Sequence, residues 1–149
     1  MLVFETDVLE EGIEVTGPIK ATIFGSSDRL DTDFTAALID VEPDGKAIIL
    51  CEGICRARFR NGTEDPQMMT PGDVYELEIR MWDTSNRFQP GHRIRMELSS
   101  SNFPRYDRNL NSGGPIGYEG PEAIKVARNT VPLGGVTPSR LVLPVVPAG

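Results

Sequence analysis

A chain of 149 residues with 39% hydrophobic, 25% charged and 7% aromatic content is long enough to bury a core without disulfides or metals, and its average composition excludes disorder, collagen-like repeats and coiled coils. The formal net charge of −7 repels phosphate backbones and anionic lipid, which argues against nucleic-acid and membrane partners. No apolar run approaches the ~20 residues of a membrane-spanning helix.

Residues 1–14 are acidic and lack the basic start and apolar stretch of a signal peptide, so the reading is a soluble, cytoplasmic protein. Residues 19–26, 34–41 and 47–50 are apolar on both faces, or nearly so, and suit central strands packed on both sides or covered by a loop or partner. Pro43, Asp44 and Gly45 form a hairpin-turn signal between the second and third of these runs. Cys55, Ala57 and Phe59 alternate with Arg56, Arg58 and Arg60, which predicts a strand with one buried face. Tyr75, Leu77, Ile79 and Met81 alternate with Glu76, Glu78 and Arg80 after the Pro71-Gly72 turn, and Trp82 beside them reads as core or rim filler. Ile94, Met96 and Leu98 alternate with Arg93, Arg95 and Glu97 after Pro90-Gly91. Residues 102–122 break the rhythm as a long irregular segment, and such loops are more often functional than idle. Two short strands are expected at 124–131 and 140–146, before a Pro-rich end at 144–149 that reads as a natural chain terminus or as the cut edge of a longer chain. With no helical stripe, 15 glycines and 12 prolines, the pattern predicts an all-β sandwich or barrel with Phe59, Leu77, Ile79, Ile94, Met96 and Leu98 in its core.

The chemistry is sparse. The lone histidine, His92, sits at a turn, there is no Gly-x-Ser-x-Gly elbow, and Ser99, Ser100 and Ser101 alternate across a strand. No catalytic residue is assigned to this chain. Cys51 and Cys55 lie about 13 Å apart if extended, which favours two free core thiols in a reducing compartment, although a kink at Gly53 leaves a bridge open. Asp28, Asp31 and Asp33, with Asp40 and Glu42, supply hard oxygens of the kind calcium takes, but not at EF-hand spacing, and turn capping accounts for them without an ion. No metal or cofactor is therefore assigned. Phe103, Arg105, Tyr106, Arg108 and Tyr118 mix aromatics and arginines as interface cores do. The same side chains suit stacking on sugars, and a loop merely covering the sandwich end is the third reading.

The run from Gly91 through Arg95, Ser99, Phe103 and Tyr106 to Asn109 resembles the signature of the C-terminal domain of X-Pro dipeptidyl-peptidases and of the related cocaine esterase and glutaryl acylase hydrolases. Residues 15–18, 31–36, 40–45, 52–54, 56–60 and 139–144 are similar to the same family in the same order. The resemblance implies a galactose-binding-domain-like jelly-roll β-sandwich appended to an α/β-hydrolase domain. It implies a Ser-Asp-His triad on that other domain, with no counterpart here. On this reading the chain is one β-sandwich, the C-terminal piece of a larger hydrolase cleaving peptide, ester or amide bonds, or a free-standing product. Its partner is the catalytic domain, with a second copy of the chain as a further candidate. The expected contact surface is Phe103, Arg105, Tyr106 and Arg108, with Asp107 and Asn109 as hydrogen-bonding neighbours. The alternative is an independent carbohydrate-binding module.

Overall fold

The computed structural model describes residues 1–136 and 138–147; Ala148 and Gly149, the tip of the expected Pro-rich terminus, lie outside them. Eight strands follow one another: β1 (Leu2–Glu5), β2 (Ile13–Ser27), β3 (Asp33–Val41), β4 (Ala47–Arg56), β5 (Tyr75–Phe88), β6 (Arg93–Ser99), β7 (Asn129–Thr130) and β8 (Arg140–Val142). Two antiparallel sheets result, one ordered β1-β6-β3-β4 and the other β5-β2-β7, with β8 also paired to β2. This is the all-β, jelly-roll-like sandwich expected from the alternating patterns. No helix among the described residues is long and apolar enough to cross a membrane.

The core lies between the sheets. Leu77, Ile79 and Met81 of β5 face Leu38 and Phe34 of β3, and all five are at most 1% exposed. Alternation decides this: their neighbours Glu76, Glu78 and Arg80 take the wet face. Leu98 and Ile94 of β6 join the same cluster, with Met96 half-buried against it. β3 lies inside its sheet between β6 and β4 and is buried along nearly its whole length, and the β3–β4 register slips at Leu50 of β4. The sheets come closest where β4 meets β5. A Cβ on Gly53 would stand 2.2 Å from the carbonyl oxygen of Arg80, so only glycine fits there.

Several expectations are corrected. The stretch 47–50 is not a central strand; it opens β4 at a sheet edge, and Ile49 is 59% exposed. The strand expected through Cys55, Ala57 and Phe59 ends at Arg56, and Ala57–Phe59 is a 3₁₀ turn. The cause is hydrogen bonding to the segment before β3: Ala57 donates its N–H to the Thr32 carbonyl, and Arg58 donates its N–H to Asp31, pulling the chain out of the ladder. Phe59 is consequently half-buried rather than core. Trp82 fills nothing; it is 70% exposed. Of 124–131 only Asn129–Thr130 pairs with β2, and Val126 is 83% exposed, because Lys125 bonds to Leu110 instead of to a strand. The strand expected over 140–146 stops at Val142 and resumes only as a bridge between Val145 and Val15, since Pro144 has no N–H to give. β1, unforeseen in the acidic N-terminal segment, pairs with β6.

Candidate docking interface

The irregular segment after β6 is held by polar anchors from the β2–β3 loop, β3, β4 and the turn after β4. Asp31, fully buried, accepts from Arg58 through both backbone (3.0 Å) and guanidinium (2.8 Å). The other end of that guanidinium donates to the Gly114 carbonyl at 2.7 Å. Asn109 turns inward and divides its amide between Asp31 (2.7 Å) and Asp33 (2.8 Å). Arg56 lies 3.6 Å from Asp33 and donates to the Asp107 carbonyl at 2.7 Å. Glu52 takes Asn102 (2.6 Å) and Arg105 (2.9 Å). Farther along, Asn111 donates to the Lys125 carbonyl, and Ser112 donates to Glu119.

Two buried carboxylates side by side are costly unless cations and donors meet them. Arg58, Arg56 and Asn109 do so, and the segment is thereby bolted to the sheet. The compensation at Asp33 is incomplete. Burial pushes its carboxyl from the ordinary 3.8 up to about 6, opposed by the Asn109 hydrogen bond and the Arg56 charge.

On the outer surface of this bolted segment, Phe103 is 55% exposed and the Arg108 guanidinium lies 4.3 Å from its ring centroid. The Arg105 guanidinium stands 6.0 Å from the ring centroid of half-buried Tyr106. Asp107 is exposed, and Tyr118 is 89% exposed. Five of the six residues expected at an interface therefore share one ridge, with Asn109 as the internal bolt beneath it. The anchors Asp31, Asp33, Arg56, Arg58 and Glu52 were not recognised as such from the sequence. Their signal was present as an acidic loop and an arginine run, each with a plausible local explanation.

The remaining candidates have structural partners. The Asp31 and Asp33 oxygens face arginines and an amide, and among the described residues no three potential metal ligands gather. Asp40 accepts from Asn86 and lies 2.8 Å from the His92 ring. Cys51 and Cys55 are free and buried on one face of β4. Burial pushes both thiols up to about 11, helped by the Glu52 charge for Cys51 and by Asp33 for Cys55.

Residues 1–142 match the family described as the X-Pro dipeptidyl-peptidase C-terminal non-catalytic domain. A cocaine esterase from Rhodococcus sp. (strain MB1 Bresler) is 49% identical over 98% of this chain and 25% of its own length. An aminopeptidase structure from a marine sediment archaeon, Thaumarchaeota archaeon, superimposes with a TM-score of 0.92 at 31% identity, over 98% of this chain and 26% of that one. An α-amino acid ester hydrolase superimposes equally well, TM-score 0.92 at 28% identity, over 97% of this chain and 25% of that one. The chain thus spans about a quarter of the length of the relatives it matches. It belongs to the family of X-Pro dipeptidyl-peptidase C-terminal non-catalytic domains.

Proposed function

We propose that this β-sandwich is the non-catalytic C-terminal domain of a serine hydrolase that cleaves peptide, ester or amide bonds, and that it docks on the α/β-hydrolase catalytic domain through the 102–118 segment. The observation that carries this reading is the exposed aromatic–arginine ridge of Phe103, Arg105, Tyr106, Asp107 and Arg108 on a loop bolted to the sheet from beneath. Aromatic and arginine side chains are the usual energetic anchors of interfaces. Holding them in place before contact removes much of the ordering cost of association. The catalytic triad resides on the partner, and this domain steadies the body that carries it. The two unpaired, buried thiols suit a reducing, cytoplasmic setting.

A chimera tests the reading. The matching quarter of the Rhodococcus cocaine esterase is replaced by this chain, which is 49% identical to it. The chimera should hydrolyse esters, whereas the chain alone should show no turnover and no labelling by a fluorophosphonate probe. The triple substitution Phe103→Ala, Arg105→Ala, Arg108→Ala should lower the melting temperature of the chimera by at least about 5 °C. In the isolated chain the same exposed substitutions should shift it by no more than about 2 °C. Equal shifts in both settings would remove the ridge from the interface.

A further inference from the structure

The outer face of the β5-β2 sheet carries a feature that the docking ridge does not use. The β2–β5 ladder pairs Pro18 with Asp83 and Ile19 with Met81, leaving Trp82 as the unpaired residue of a bulge. Bulges re-aim side chains and recur beside functional sites. Trp82 continues the wet face of Glu76, Glu78 and Arg80, and its indole is 70% exposed. Trp82 stands in an open groove of about 640 Å³ lined by Pro18, Lys20, Glu78, Arg80 and Asp83.

The polar groups of that groove are arranged but not saturated. Lys20 donates to Glu78 at 2.8 Å and Arg80 donates its Nε–H to the other Glu78 oxygen at 2.7 Å. The hydrogen bonds from Lys20 and Arg80 hold the Glu78 carboxyl below the usual carboxylate range, so it remains an acceptor at neutral pH. Lys20 keeps two N–H donors and Arg80 keeps its two terminal NH₂ groups. Asp83 makes no side-chain hydrogen bond or ion pair among the described residues. Two cations and two carboxylates give the groove no net charge.

We propose that the Trp82 groove binds neutral oligosaccharides, the indole face carrying one sugar ring while Lys20, Arg80, Glu78 and Asp83 exchange hydrogen bonds with its hydroxyls. A flat apolar ring beside mixed donors and acceptors matches a ligand that is apolar on one face and hydroxylated at its rim. A protein partner is disfavoured because it would strip water from the Lys20–Glu78–Arg80 pairs without replacing their hydrogen bonds. The loop aromatics are less suited, since guanidinium groups already lie over Phe103 and near Tyr106.

Trp82 is the only tryptophan of the chain, so its emission reports the site directly. The 149-residue chain is titrated with maltotriose, cellotriose, xylotriose and chitotriose, with calorimetry in parallel. At least one sugar should give a saturable emission change with Kd in about the millimolar range. Trp82→Ala should abolish the calorimetric signal, Trp82→Phe should weaken it, Asp83→Asn and Arg80→Gln should each weaken it about tenfold, and Tyr106→Ala should leave it unchanged. Melting curves establish that the variants are folded; the exposed positions make folding defects small. No saturable change with any of the four sugars up to about 50 mM, or binding that survives Trp82→Ala, overturns the proposal.

Discussion

Asp33 shows how one residue couples the anchoring of the 102–118 segment to pH. Its folded carboxyl titrates at about 6 against an ordinary 3.8, so between these values the folded state holds more proton than the unfolded chain. Stability from this group is therefore fully present below about pH 4 and is lost as pH rises through 6. Asp33→Asn keeps an acceptor for Asn109 and removes the buried charge. It should match the wild type near pH 4 and melt higher at pH 7.5, by at most about 3 kcal/mol in stability. A lower melting temperature at pH 7.5 would mean that the Arg56 contact outweighs burial. Removing the carboxylate beside it has the opposite effect on stability: Asp31→Ala strands the buried Arg58 charge and should cost about 3–5 kcal/mol in denaturant unfolding. The cysteines give a third test at this scale. With both thiols near 11, thiolate is scarce at pH 8, so a disulfide-exchange reagent should modify neither in the native chain and both once it is unfolded. Rapid native labelling of either would contradict the burial of β4.

At the scale of elements, local pattern was readable wherever a strand keeps one wet face. The alternation of β5 and β6 named Leu77, Ile79, Ile94 and Leu98 as core, and all are buried, while Met96, named with them, is half-buried. It misled where a distant partner decides. The alternation through Cys55, Ala57 and Phe59 continues past the end of β4 because Asp31, more than 20 positions upstream, captures Arg58. The apolar run at 47–50 looked central but is an edge, since strand order is a property of the sheet and not of the run. Trp82 was misplaced because its size and apolarity suggested filler, although the alternation of Glu76, Glu78 and Arg80 already put position 82 on the wet face. The β4–β5 contact was hidden behind a single glycine. Gly53→Ala would force the Arg80 backbone away and should cost at least about 3 kcal/mol or prevent folding. Gly45→Ala, in a turn with open space around it and φ of +89°, should cost only about 1 kcal/mol. Comparable losses at the two positions would mean that the sheets do not close on Gly53.

For the whole molecule, the aromatics and arginines of 102–118 were legible as a cluster and form an exposed one, whereas the buried carboxylates that hold the segment were not. Burial, and not residue type, separates a turn-capping aspartate from an anchor. The proposed docking brings this bolted ridge against a hydrolase catalytic domain, the chain itself spanning about a quarter of its relatives' length. The edge strand β4, the Trp82 groove and the exposed Leu30 and Val126 are the competing surfaces. Hydroxyl-radical footprinting of the isolated chain and of the cocaine esterase chimera separates them in one measurement. The account predicts that Phe103, Tyr106 and Tyr118 are oxidised readily in the isolated chain and protected in the chimera, while Trp82 reacts equally in both. Unchanged oxidation of Phe103 and Tyr106, with protection appearing instead at Trp82, Ile49 or Leu30, would contradict it.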